Sequence, residues 1–435
     1  MIDVAAQFRD CEDLAARAPN QLANGLKGSS ILAIARQVKA LQAEGQTIAD
    51  LTIGDFDPKH FPIPDALTER IRYEVGRGQT NYPPAVGVPE LRSAIRALYA
   101  RELGLQYPDG CVQVGSGARP PIFATFGTLV NPGDIVVYPV PSWNVNHYCF
   151  MAGAKGVPLV TSPDNGFMPT AAQILPHLPT ANLLVINTPQ NPSGTTIGAE
   201  QLREVCEAII AENRGRRERG ERPLMLMYDQ VYWQLTFGGY NHVNPVSLVP
   251  EMARYTVFVD AISKCWAATG LRVGWAVVPP WVGEKMQALV GHMGAWAAKP
   301  EQLATAALLA DPSLLGDYMP KFIGGVQERL GLLQAGFEGL AAAGHPVGCL
   351  PAQGAIYLSA RLNLFGKTRP NGQVISSDED IRNWLLEACG IAVVPFTAFG
   401  YPANSGWVRL SVGAVSVDDV KSGIERLTVA LGELR

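Results

Sequence analysis

The chain has 435 residues, 47% of them hydrophobic and 17% charged, with a formal net charge of -4. That length accommodates two or three domains, and the composition is that of a soluble globular enzyme rather than a disordered or fibrous chain. It contains no basic tract interleaved with aromatics to track nucleic acid, and no run of about 18 apolar residues to span a bilayer.

The opening residues, Met1 to Asp10, lack a basic region followed by an apolar one, so no secretory signal is expected and the cytoplasm is the default location. Apolar spacing predicts helices over residues 34–43, 65–75 and 89–102, then strands over 135–138 and 183–187. A helix over 199–212 follows, with strands over 224–228, 256–259 and 273–278, and helices over 317–342 and 417–431. The strands are short, apolar and bounded by turn residues. Their alternation with helices reads as α/β with a mostly parallel sheet buried on both faces. Residues 213–222, Asn-Arg-Gly-Arg-Arg-Glu-Arg-Gly-Glu-Arg, are expected to form a solvated loop, because acidic residues interrupt the basic run. The pattern changes near residue 315. This divides the chain into a large domain over 51–315 and a smaller one over 316–435, with residues 1–50 forming an arm and completing the small domain.

The seven cysteines, at 11, 111, 149, 206, 265, 349 and 389, are scattered and form no CxxC pair. Neither a disulfide framework nor a structural zinc site is implied, and no metal is expected. Cys265, beside Lys264, reads as a small residue filling a pocket wall.

Chemistry concentrates in Val259-Asp260-Ala261-Ile262-Ser263-Lys264 and the following Gly270-Leu271-Arg272-Val273-Gly274-Trp275. An ammonium at the end of an apolar strand is costly to bury, and burial favours the neutral, nucleophilic amine. Such an amine condenses with aldehydes. Arg272 suits a phosphate through its forked donors, and Ser263 adds a hydroxyl. Alone, these would be a surface lysine and arginine flanking a strand. Together, Ser-Lys followed by Gly-x-Arg-x-Gly-Trp resembles the cofactor-attachment region of class I aminotransferases, in the fold-type I pyridoxal-phosphate (PLP) family.

Other motifs follow in the order the resemblance requires. Tyr82, with Gly87 and Leu91-Arg92, is similar to the element whose tyrosine reaches the partner subunit's cofactor phosphate, which implies a homodimer. Gly115-Ser116-Gly117-Ala118-Arg119, ahead of a helix, resembles the phosphate cradle, with Gly117, Ala118 and Arg119 against the cofactor. Amides at a helix N-terminus would face the anion there. Position 120 is proline, so a dinucleotide fingerprint is disfavoured. Trp143 matches the aromatic that stacks on the pyridine, and Asn191 the residue that hydrogen-bonds the phenolic oxygen. Asp229 and Tyr232 resemble the Asp-x-x-Tyr pair, with Gln230 where glutamate is frequent. The resemblance gives Asp229 the protonated pyridine nitrogen as a partner, and Tyr232 the phenolic oxygen. Arg409 matches the arginine that grips the substrate α-carboxylate, with Gly54 beside it. Phe396 stands where many relatives carry glycine, on what is expected to be a pocket wall.

The resemblance spans roughly residues 28–431 and implies a seven-stranded, mostly parallel sheet in the large domain. It implies a Schiff base between PLP and Lys264, and transfer of an amino group from an amino acid to a 2-oxo acid. Lys264, Asp229 and Tyr232 would be the catalytic residues. Arg119 occupies a position where some aspartate-using relatives carry a lysine for the distal carboxylate, which points to a dicarboxylic substrate. Pairing of Arg119 with an acidic residue is the alternative, and Ile31, where those relatives tend to be polar, weighs against the dicarboxylate. The same cofactor motifs also serve C–S lyases and related elimination enzymes. A non-catalytic PLP-binding sensor is a more distant alternative, and about 30 residues ahead of the matched region are too few for a DNA-binding domain.

Overall fold

The computed structural model describes residues 4–8, 12–26, 28 and 30–435. Its main sheet has seven strands: β1 (Val112–Ser116), β2 (Ile135–Val140), β3 (Lys155–Val160), β4 (Ala181–Asn187), β5 (Met225–Asp229), β6 (Thr256–Ala261) and β7 (Val273–Val277). The spatial order is β1-β7-β6-β5-β4-β2-β3, and every pairing is parallel except those of β7, which runs antiparallel to both neighbours. Alternate residues supply two cores. Leu184, Ile186, Leu226, Tyr228 and Phe258 face one, while Leu183, Val185, Met225, Met227, Val257 and Val259 face the other. Period-2 placement on a sheet covered by helices explains why these strands read as continuous apolar runs.

A second, antiparallel sheet has the order β10-β11-β9-β8, formed by β8 (Val347–Cys349), β9 (Tyr357–Leu362), β10 (Val394–Pro395) and β11 (Trp407–Ser411). The helices Tyr318–Ala342, Asp378–Cys389 and Val417–Gly432 bury Phe322, Leu333, Trp384 and Leu427 in the core of this second sheet. The same core takes in Leu51, Phe56, Phe61 and Tyr232, so it runs continuously to the end of β5. The helix Ser30–Ala43 packs Val38 with Ile48, Leu386 and Ala392. No helix among the described residues is long and apolar enough to cross a membrane.

Two strands escape the sequence pattern. β1 carries Gln113 and Gly115, which break its apolar run. β3 contains Gly156 and Pro158 and lies at the sheet edge, where a proline costs no ladder hydrogen bond. The expectation of a loop over 213–222 is corrected. The helix Ala199–Arg219 runs through most of it and ends at Gly220, in the left-handed conformation. Arginine and glutamate are good helix formers, and the pair four residues apart, Glu212 and Arg216, closes at 2.9 Å. Arg216 is buried and donates to the carbonyls of Leu178, Ala181 and Arg222. The run is therefore structural along one side. Cys11 lies outside the described residues, and Cys265 is buried, its thiol pushed well up by burial.

Candidate active site

In a parallel sheet the strands deliver their carboxyl ends to one edge, and β4, β5 and β6 end there at Asn187, Asp229 and Ala261. Lys264 follows β6 directly, in the one-turn helix Ile262–Cys265, so the strand end fixes its backbone. Its Nζ donates to the Gly54 carbonyl at 2.5 Å and lies 5.8 Å from the ring centres of Phe56 and of Tyr232. Burial lowers its pKa to about 8, Asp55 opposes that, and the guanidinium groups of Arg409, Arg272 and Arg119 add to the lowering. Burial first, and the three cations after it, raise the neutral fraction of this amine near neutral pH far above that of a free lysine, and the neutral amine is the form that attacks an aldehyde.

Asp229 is buried, and its Oδ1 accepts the Val231 N–H at 3.2 Å. No cation pairs with it among the described residues, and burial raises its pKa to about 6. Gln230, next along, is fully buried. It donates to the Tyr99 hydroxyl at 3.1 Å and meets His242 Nε2 at 3.1 Å. Burial holds His242 down to about 3, so a neutral amide suits this neutral partner where a carboxylate would be left ionised and unpaired.

Arg409 projects from β11 and is 1% exposed. Its Nη1 donates to Asn191 Oδ1 at 2.9 Å and its Nη2 to the Thr52 carbonyl. Its Nε is buried without a partner, and burial lowers its pKa. The guanidinium carbon lies 4.7 Å from the ring centre of Tyr357 and 5.0 Å from that of Phe399. No carboxylate pairs with it among the described residues, which leaves donor capacity open to an anion.

Arg272, whose φ is 58°, donates to the carbonyls of Thr269 at 2.5 Å and Ser116 at 3.2 Å. Thr269 in turn donates to Asp55 at 2.6 Å, which ties this arginine to the segment holding Gly54. Gly117 has a φ of 81°, and a Cβ there would sit 2.1 Å from Arg272 Nη2. Glycine is thus needed both for the backbone conformation and for the close approach. Ala118 caps the helix Arg119–Leu129, whose second and third positions are Pro120 and Pro121. The amides of Ala118 and Arg119 are therefore the donors this helix end offers to an anion. Arg119 lies over the Trp143 ring at 5.0 Å and forms no ion pair among the described residues, so the acidic-partner alternative finds no support here. Ser263, next to Lys264 in the chain, is buried.

The profile of the family Aminotransferase class I and II matches residues 46–427. The chain belongs to that family.

The aminotransferase is 29% identical over 414 residues to the aspartate aminotransferase of Rhizobium meliloti, covering 93% of this chain and 94% of that one. It is 29% identical over 385 residues to a probable aspartate/prephenate aminotransferase of Rhizobium leguminosarum, covering 87% and 91%. The crystal structure of an aspartate aminotransferase from Rhizobium meliloti superposes with a TM-score of 0.87 at 27% identity, covering 96% and 99%. This is the fold-type I aminotransferase architecture, and PLP is the cofactor of the family.

The residues of this aminotransferase fit PLP. Asp229 is a buried carboxylate with no cation paired to it among the described residues, which suits a protonated pyridine nitrogen. The Gly117–Arg272 cradle, with the Ala118 and Arg119 amides, suits the phosphate.

Tyr82 stands apart from the cluster. It is 82% exposed, packed edge-on against Trp296 at 5.5 Å, and in one chain it meets none of the other site residues. Phe396 is not on the pocket wall. It is fully buried between Phe167 and Trp407, and Phe399 takes the wall position against Arg409. The Ile31 side chain lies outside the described residues. Tyr357, whose hydroxyl meets that of Tyr232 at 2.6 Å, and the Thr52 carbonyl were missed from sequence. Strand alternation marks Tyr357 only as an inward aromatic, and a backbone carbonyl leaves no sequence signal. A groove of about 940 Å³ between Tyr107, Tyr255 and Trp281 opens at the opposite end of the sheet. Arg254 is its one charged wall residue, and the chemistry-bearing side chains lie elsewhere.

Proposed function

We propose that this aminotransferase moves the amino group of a dicarboxylic L-amino acid, aspartate foremost, to a 2-oxo acid, with Lys264 as covalent anchor and proton carrier. The observation that carries the reading is the set of arginines whose charges act on one depressed amine, Arg409, Arg272 and Arg119. An α-carboxylate at Arg409 would bring Cα–H toward Lys264, and a distal carboxylate would find Arg119, which forms no ion pair among the described residues. The relatives named for aspartate support this choice.

PLP, when bound, supplies an aldehyde carbon and an electron-withdrawing ring. The chain's residues do the rest. Lys264 would take the proton from the substrate Cα and deliver it to the carbon that was the cofactor's aldehyde, acting as base and then acid. Asp229 would hold the proton on the ring nitrogen, and its own pKa, raised by burial, marks how strongly it demands a cationic partner. Tyr232 and Asn191 would donate to the phenolic oxygen, Trp143 would cover the ring, and Ser263, Arg272, Gly117, Ala118 and Arg119 would hold the phosphate. Arg409 fixes the α-carboxylate beside Gly54, and Asn191 holds Arg409 in place at 2.9 Å. We place the large domain at 51–315 and the small one at 316–435 with residues 1–50. We also assign a homodimer in which the exposed Tyr82 reaches the partner's phosphate, and a cytoplasmic location.

The test is turnover of aspartate, alanine, phenylalanine and glutamate by the wild type and by Arg119→Ala. Loss of a distal charge-assisted contact lowers kcat/KM for aspartate by roughly 10- to 100-fold and leaves alanine within about twofold. Equal effects on both substrates would remove Arg119 from substrate recognition. Release of ammonia or thiol instead of stoichiometric 2-oxo acid conversion would point to an elimination enzyme.

A further inference from the structure

We infer that Tyr357 is a positioning residue through which occupancy of the Arg409 carboxylate site reaches Tyr232 and Lys264. The inference rests on the reading of Lys264 as the cofactor's anchor. Tyr357 is fully buried at the start of β9, and three contacts meet on it. Its hydroxyl lies 2.6 Å from the Tyr232 hydroxyl. Its ring lies 4.7 Å from the Arg409 guanidinium carbon. A Cβ on Gly54 would sit 2.6 Å from its hydroxyl oxygen and 3.7 Å from Arg409 Nη1. The Gly54 carbonyl is the one that accepts from Lys264 Nζ. Gly54 is thus the point at which the carboxylate arginine, the tyrosine pair and the lysine converge.

Each phenol has one hydrogen, so only one of the pair donates to the other. The neighbouring guanidinium draws electron density from Tyr357 and makes it the donor, which frees the Tyr232 hydrogen to point toward the phenolic oxygen of the cofactor. Chained hydrogen bonds reinforce one another, so Tyr232 is the stronger donor for receiving one. A substrate carboxylate on Arg409 neutralises the guanidinium and weakens Tyr357's donation. Tyr232 then donates less, and the linkage at Lys264 becomes more basic as substrate arrives. The ring of Tyr357, by contrast, supports Arg409 whether or not its hydroxyl is present.

The experiment is a pH titration of the yellow absorbance of the holoenzyme, with and without saturating maleate, an unreactive dicarboxylate. Wild type should titrate at higher pH with maleate than without. In Tyr357→Phe the unliganded midpoint should move up by roughly half a unit and the maleate-induced shift should fall to less than about half, while maleate affinity changes by less than about tenfold. In a Tyr232→Phe background, Tyr357→Phe should do nothing further. Gly54→Ala, whose Cβ would displace the Tyr357 hydroxyl, is a second variant that should also shrink the maleate-induced shift. Wild-type titration curves in Tyr357→Phe, or full additivity with Tyr232→Phe, would overturn the inference and leave the aminotransferase reading intact. A wild type that never turns yellow with PLP, or stays yellow-forming as Lys264→Ala, would overturn the reading itself.

Discussion

Asp229→Asn makes the apoprotein a sensitive reporter of the site. The carboxyl has its pKa raised by burial from 3.8 to about 6, so it is ionised at pH 8 at a cost, and protonated without that cost at pH 4. A folded pKa above the unfolded one means the folded state binds more protons between those values, so this group's contribution to stability falls as pH rises from about 4 to 6. About two units at about 1.4 kcal/mol each give a penalty of roughly 3 kcal/mol above pH 6. Asparagine keeps the shape and can accept the Val231 N–H without the charge. The apo Asp229→Asn variant should therefore resist urea better than the wild-type apoprotein at pH 8, by up to about 3 kcal/mol, with the difference vanishing near pH 4. With PLP bound the order should reverse, because the wild type gains a cation partner and the variant does not. A chain of this size with more than one core need not unfold in one step, so denaturation midpoints at matched pH are the measurement. Equal midpoints at pH 8, or an advantage of the same size at both pH values, would refute the claim that Asp229 is a buried carboxylate awaiting a cation.

The Lys264 amine, lowered to about 8, should capture PLP at a rate that rises as pH passes through that value, whereas surface lysines titrate near 10.4. Stopped-flow absorbance reads this, and borohydride should fix the label on Lys264. Arg409→Lys keeps the charge but loses the fork and the Asn191 contact, so kcat/KM for any α-amino acid should fall roughly 10- to 100-fold in steady-state kinetics. Arg216→Ala strips donors from buried carbonyls and should lower stability by roughly 3 kcal/mol in thermal or urea unfolding, with PLP affinity unchanged.

The α/β alternation, the apolar strands β2, β4, β5, β6 and β7, and the order of motifs around Lys264 were legible in the chain, because a sheet buried on both faces leaves a local apolar signature. Asp229 was marked as a candidate because a carboxylate at the end of a buried strand needs a partner, and Arg272 through the resemblance of its motif. Other features depend on contacts between distant segments. Arg409 meets Asn191 and Thr52 across 218 and 357 residues, and Tyr357 meets Tyr232 across 125. Arg216, inside the run read as a loop, donates to carbonyls on another element, a contact that no local pattern records. Phe396 belongs to an aromatic cluster with Phe167, which only packing could reveal. The sequence by itself determined which chemical groups exist and the elements on which they sit. The tertiary structure decided which of them meet, because proximity across hundreds of residues depends on how helices and sheets pack, and local periodicity carries no record of it.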